Sequence, residues 1–265
     1  MFRQRLLTTL ILIPLVLIIL FYAPPWILGI LAVLISVLAA IECWQLIPIN
    51  LPLHKGLFLF LLVVAVGACF HLLPYWITIG LLCWLCICIA VLSFPQTQAY
   101  WGRPLIVTAV LLIIWPLFIQ SMNYIYWLPQ GKGLIVYLLC LVWAADIGAY
   151  LVGKRWGHTK LIPRVSPGKS WEGVLGGFGL AMLIAALSIH YYTPFSYTRW
   201  FFWSGLATIM SVFGDLFMSI LKRRCNLKDT GSIIHGHGGI LDRLDSLMAA
   251  APVFYLGLTY IPLGI

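Results

Sequence analysis

The chain has 265 residues, of which 63% are hydrophobic and only 9% charged, with a mean hydropathy of +1.04 and a formal net charge of +9. That profile excludes a soluble globular domain. No polar domain is left to hold nucleic acid, so no nucleic-acid partner is expected and the positive charge has to be explained by membrane topology.

Apolar runs of the ~20 residues needed to cross a hydrocarbon core recur along the whole length. They predict an all-α, polytopic membrane protein of about nine transmembrane helices: 6–22, 26–47, 56–70, 75–94, 104–126, 133–153, 171–191, 200–221 and 247–263. The third run is short and only Pro24 and Pro25 part the first two, so eight and ten spans are the alternatives. The first run follows Arg3 and Arg5 as a signal peptide would. It is long for that role and Tyr22-Ala23-Pro24-Pro25 is a poor cleavage site, so it reads as a retained span.

Charge placement supports nine. With the N-terminus cytoplasmic, Arg3, Arg5, Lys55, Arg103, the five basic residues of 154–169, Lys222-Arg223-Arg224, Lys228 and Arg243 fall on one side, and only Lys132 and Arg199 fall opposite. Short positive loops stay inside. One span fewer after residue 130 would split the two basic loops across the membrane. The same loops would attract a phosphate-rich ligand or anionic headgroups. Six of the seven cysteines lie in apolar spans, where a thiol is a small buried hydrophobe; Cys83, Cys86 and Cys88 have no histidine or carboxylate near them in sequence, and no disulfide is implied.

The seven acidic residues are more informative. A carboxylate at mid-membrane carries an insertion penalty of roughly 2.5–3.5 kcal/mol, so such groups tend to be paired and functional. Glu42, Asp146 and Asp215 lie within spans, and at ~1.5 Å rise per residue Asp146 and Asp215 sit roughly 10–12 Å beneath the inner surface. Glu42 is at a similar level. For Glu42 and Asp146, pairing with a base or capping a neighbouring helix is the competing structural explanation. Asp215 has Ser211 and Ser219 one turn away on either side, a polar stripe that calls for water or an ion. Asp242 and Asp245, three apart and followed by Ser246, share one face. Oxygen ligands from separate elements suit Mg²⁺ better than zinc, and Mg²⁺ that keeps its waters suits a phosphate substrate.

Gly168-Lys169-Ser170 before a helix is no Walker motif, because the glycine needed five positions earlier is Pro163 and no strand is expected before it. Backbone amides at a helix start, a lysine and a hydroxyl can still hold a phosphate. Gly173, Gly176, Gly177 and Gly179 read as close helix packing. In the last inner loop, Gly236-His237-Gly238-Gly239 permits close backbone approach, and the neighbouring acid pair is more than a hinge requires. His54, His71 and His190 read as loop or interface residues; His158 and His235 are ambiguous.

At these residues the chain resembles the integral-membrane phosphatidate cytidylyltransferases, or CDP-diacylglycerol synthases. Ser219, Leu221, Lys222-Arg223, Lys228-Asp229, Gly231, Ile234, His237-Gly238-Gly239, Ile240, Asp242-Arg243, Leu244 and Asp245 fill that family's signature in register, with His235 where a proline is usual. Asp146, Ala149-Tyr150, Gly153-Lys154, Gly157, Lys160, Pro163, Ser166-Pro167, Lys169 and Glu172-Gly173 look like its second block. The match runs over about 146–246; the first 130 residues match only as a set of spans. The resemblance implies that CTP and phosphatidate yield CDP-diacylglycerol and pyrophosphate, for phospholipid biosynthesis. It also implies a Mg²⁺-dependent homodimer, with K⁺ assisting, in the bacterial inner membrane with its active site facing the cytoplasm. The chain then divides into N-terminal transmembrane helices (1–130) and a C-terminal transmembrane catalytic region (131–265).

By position, Asp215 and Asp242 correspond to the family's metal carboxylates. The expected catalytic set is Asp215, Asp242, Asp245, Lys222 and His237. The expected substrate-binding set is Lys169, Ser166, Ser219, Arg223, Lys228, Asp229, Gly238, Gly239, Arg243 and Asp146. Two other classes compete: a CTP-dependent lipid kinase, which would transfer the γ-phosphoryl group, and a transporter, which would place its acids near mid-membrane with access from both sides. CDP-alcohol phosphotransferases are disfavoured, since their opening Asp-Gly dipeptide is absent.

Overall fold

A computed structural model describes residues 2–47, 52–231 and 238–260. Its elements are α1 (Phe2–Tyr22), α2 (Pro25–Gln45), α3 (Pro52–His71), α4 (Leu73–Leu92), α5 (Gln98–Trp101), α6 (Pro104–Trp127), α7 (Gly131–Trp156), β1 (Lys160–Ile162), β2 (Ser166–Ser170), α8 (Trp171–Tyr192), α9 (Tyr197–Arg224) and α10 (Leu241–Tyr260). Apart from the four-residue α5, the helices described have 20 residues or more and fall on the nine predicted spans. Seven are long and apolar enough to cross a bilayer by length and composition. In α1 the apolar run is Ile13–Tyr22, and α10 opens on the polar Asp242, Arg243 and Asp245. Prolines at the first turns of α2, α4 and α6 start those helices without loss, since an N–H there has no partner within the helix.

The bundle is centred on α9, which packs on α10 and α8. Gly214 lets them meet: a Cβ there would stand 2.4 Å from the Asp245 carbonyl oxygen. The small residues Ala249, Ala250 and Ala251 of α10 are fully buried. The α7–α8 contact is equally close, as Gly177 faces Ala145 and Gly148 faces Gly176–Gly177 at distances only hydrogen side chains allow. The packing reading of Gly173, Gly176 and Gly177 is therefore correct, whereas Gly179 faces open space. Val33, Val63, Leu105 and Leu175 are among the many large apolar side chains left exposed, as expected of a surface covered by lipid.

The two basic residues expected opposite the rest each neutralise a helix C-terminus. Lys132 Nζ donates to the Phe21 carbonyl at 3.0 Å, and Arg199 donates to the Tyr260 carbonyl at 3.2 Å. Cations favour that end of a helix, where carbonyls lack partners. At the hairpin lies a departure from the sequence reading, which expected no strand before Gly168-Lys169-Ser170. β1 and β2 pair antiparallel there, with Ile162 opposite Ser166 and Lys160 opposite Ser170. The Glu172 carboxylate accepts from the Thr159 amide and the Trp171 amide donates to the Thr159 carbonyl, tying the hairpin to α8.

Candidate active site

Two lysine–carboxylate pairs form the centre. Lys169, at the end of β2, pairs with Asp215 Oδ2 on α9, and the Ser219 hydroxyl donates to Asp215 Oδ1 at 3.2 Å. Lys222, two turns further along α9, pairs with Asp242 Oδ1 of α10 at 2.7 Å and lies 3.9 Å from Asp245 Oδ2. The first pair is the more open, with side chains 29% and 25% exposed against 11% and 4% for Lys222 and Asp242. The site thus has an accessible mouth at Lys169–Asp215 and a closed floor at Lys222–Asp242. Asp146 on α7 is within electrostatic reach of Asp215, Lys169 and Arg243, and Asp245 within that of Asp215. Four carboxylates gather around two lysines, an arrangement that favours cations.

The floor is anchored from both ends of the chain. Asp242 Oδ2 accepts the amides of Thr230 and Gly239, at 2.8 and 2.9 Å. Gly238 has φ +84°, and a Cβ there would stand 2.8 Å from Asp242 Oδ2, so only glycine lets the loop pass. Glu42, on α2 and 2% exposed, accepts the Thr230 hydroxyl and the amides of Ile240 and Leu241. It caps the N-terminus of α10, which favours a negative charge. Of the two explanations for an acid in this span, capping is the one the geometry satisfies.

The predicted residues are not all gathered here. Asp215, Asp242, Asp245, Lys222, Lys169, Ser219, Gly238, Gly239 and Asp146 come together, and Asp229 packs beside Gly238. Arg223 instead joins α9 to the hairpin, donating to the carbonyls of Val165 and Leu227 at 3.4 Å. Lys228 is exposed, and Ser166 lies in β2 opposite Ile162. His237 lies outside the described residues, as does His235. Ser170 does not offer its hydroxyl to a phosphate; it is buried and caps α8 by accepting from the Gly173 amide. Ser211 likewise gives its hydroxyl proton to its own helix, donating to the Thr208 carbonyl. Sequence reasoning missed Thr230, whose amide serves Asp242 and whose hydroxyl serves Glu42; no local pattern marks it.

Comparison with known proteins matches the Cytidylyltransferase family over residues 3–261. The chain belongs to this family. Among its relatives, a phosphatidate cytidylyltransferase of Haemophilus influenzae is 33% identical, over 96% of this chain and 97% of that protein. Another, of Pseudomonas aeruginosa, is 39% identical over 66% of each. One from Staphylococcus aureus is 43% identical over 47% of this chain and 48% of its own. The residues of the predicted signature that meet at the centre come from a hairpin, three separate helices and the segment between α9 and α10.

Mg²⁺ fits the donor set. It requires only one or two carboxylates, with water and phosphate oxygens completing its shell. No group of three His, Cys, Asp or Glu converges as a ready-made metal cage among the described residues. Asp215 and Asp245 are close enough to repel each other, and Asp242, with Oδ2 already holding two amides, keeps room only on Oδ1 beside Lys222.

Proposed function

We propose that this chain transfers the cytidylyl group of CTP to phosphatidate, giving CDP-diacylglycerol and pyrophosphate. The observation that carries this reading is the convergence of Lys169–Asp215 and Lys222–Asp242 from β2, α9 and α10 in a chain of the cytidylyltransferase family. The lipid phosphate oxygen is itself the nucleophile, so the protein has to align it with the α-phosphorus and balance charge. A bond forms between that oxygen and the α-phosphorus as the bond from α-phosphorus to pyrophosphate breaks, and the pyrophosphate carries away the electron pair. No covalent enzyme intermediate is required.

Lys169, at the more open pair, meets the incoming phosphate first and exchanges Asp215 for it. Lys222 is held by Asp242 in the less accessible pair, where its ammonium neutralises the leaving pyrophosphate. Arg243 and Ser219 complete the phosphate contacts. Asp215, Asp245 and the free side of Asp242 would hold Mg²⁺. When bound, it supplies positive charge to the phosphate oxygens. K⁺ as an assisting cation and a homodimeric assembly are part of the same reading. The basic residues at the hairpin end favour the cytoplasmic side of a bacterial inner membrane for the site. Acyl chains then stay in the lipid while the headgroup reaches about 10 Å down between helices, seven residues' rise.

The test is to incubate purified protein in detergent with phosphatidate, Mg²⁺ and CTP labelled separately in the base and in the γ-phosphate. Base label entering the lipid fraction supports cytidylyl transfer. Label from the γ-phosphate entering it would make the protein a lipid kinase instead.

A further inference from the structure

We propose that the protein carries a second lipid site, apart from the catalytic centre, for an anionic phospholipid. Its phosphate sits on Arg103 and Arg224 and one acyl chain lies in the groove between α4, the hairpin, α8 and α9.

Two adjoining hollows carry the proposal. The larger, about 660 Å³, is apolar, lined by Leu92, Leu161, Trp171, Val174, Phe178 and Phe213 among others, with Arg164 at its hairpin edge. At the ~30 Å³ of a water-sized group that is on the order of twenty methylene-sized units, the scale of one acyl chain. Phe178 is seven residues beyond Trp171, so the groove runs roughly 10 Å along α8, in the direction a lipid chain takes. The smaller hollow, about 420 Å³, is lined by Gln96, Gln98, Arg103 and Arg224 and by no carboxylate. Pro95 belongs to both walls, so the two hollows adjoin.

Arg224 points to what belongs in the basic hollow. Its side chain lines the hollow beside Arg103 with no carboxylate among the described lining residues, and its buried Nη1, which has no hydrogen-bond partner among the described residues, has to turn outward to meet an acceptor. A guanidinium does not give up its charge, and a buried N–H without an acceptor bears its full desolvation penalty. Phosphate oxygens are the acceptors that match it. A free phosphate would satisfy Arg224 yet leave the adjoining apolar groove without an occupant of its own chemistry; an anionic phospholipid satisfies both. The site is also distinct from the catalytic one. Arg224 follows Asp215 by nine residues of α9, two and a half turns, so it leaves the helix from the opposite face.

The experiment is native mass spectrometry of the full chain in detergent. Long-chain phosphatidylglycerol, long-chain phosphatidylcholine, dihexanoyl phosphatidylglycerol and inorganic phosphate are offered separately. Wild type should retain long-chain phosphatidylglycerol above the other three. Arg103→Gln with Arg224→Gln should weaken that retention about tenfold or more, as loss of a charge-assisted hydrogen bond does. Val174→Trp, which fills the groove, should weaken it comparably. Both variants should turn over dihexanoyl phosphatidate as wild type does, which separates this site from the catalytic reading. Equal retention of phosphatidylcholine would overturn the proposal. So would phosphate binding that is lost in the arginine variant while Val174→Trp leaves phosphatidylglycerol unaffected, the mark of a soluble-anion pocket. Loss of dihexanoyl phosphatidate turnover would merge the hollow with the catalytic centre and overturn it too.

Discussion

Replacing Glu42 with alanine tests the join between the two ends of the chain. The carboxylate accepts from the Thr230 hydroxyl at 3.1 Å, the Ile240 amide at 3.0 Å and the Leu241 amide at 2.7 Å. Hydrogen bonds to a charged acceptor contribute ~1.5–3 kcal/mol each, and removing the acceptor strands all three donors in a buried place. Relaxation of the loop recovers part of this, so the expected loss is about 3–5 kcal/mol, the range for taking one partner from a buried charged network. Turnover should fall as well, because the loop that Glu42 holds also presents the Thr230 and Gly239 amides to Asp242, which in turn holds Lys222. Glu42→Gln keeps one acceptor oxygen but turns an NH₂ group toward donors, so it should fall between wild type and alanine. Thermal unfolding of the detergent-solubilised protein and cytidylyl transfer would be measured on all three. An alanine variant that melts with wild type and retains full turnover would refute the anchoring argument.

Asp215→Asn should abolish transfer while leaving the melting temperature close to wild type, since the Lys169–Asp215 pair is the more open of the two and Asn still accepts from Lys169; normal activity in purified mutant membranes would remove Asp215 from the centre. Lys222→Met removes the ammonium that bonds Asp242 and lies 3.9 Å from Asp245, and should lower both stability and turnover, the latter by about a hundredfold for ~2.7 kcal/mol of lost charge stabilisation, read as the initial rate of base label entering lipid. Gly177→Val drives a side chain into the Ala145 carbonyl, 2.3 Å from where the Cβ would stand, and should destabilise the α7–α8 pair by about 1–3 kcal/mol in a melting experiment. The neighbouring Gly179→Val meets open space and is the control that should melt with wild type.

The sequence by itself determined the membrane architecture and the chemical inventory of the site. Hydropathy is local to each run, so nine long helices, seven of them apolar enough to cross a bilayer, could be read with most of their boundaries within a few residues, and scarcity of acids made Asp215, Asp242 and Asp245 stand out. The charge count likewise separated Lys132 and Arg199 from the other bases. Partner choice was decided only in three dimensions. Lys169 meets Asp215 across 46 residues, and Glu42 meets the start of α10 across 199, separations at which no periodicity links one side chain to another. The same holds for the hydroxyls of Ser170 and Ser211, which looked like ligands for phosphate and ion until the backbone beside them took their hydrogen bonds. A residue's type limits which bonds it can form; which of them it does form depends on the groups that packing brings within about 3 Å of it.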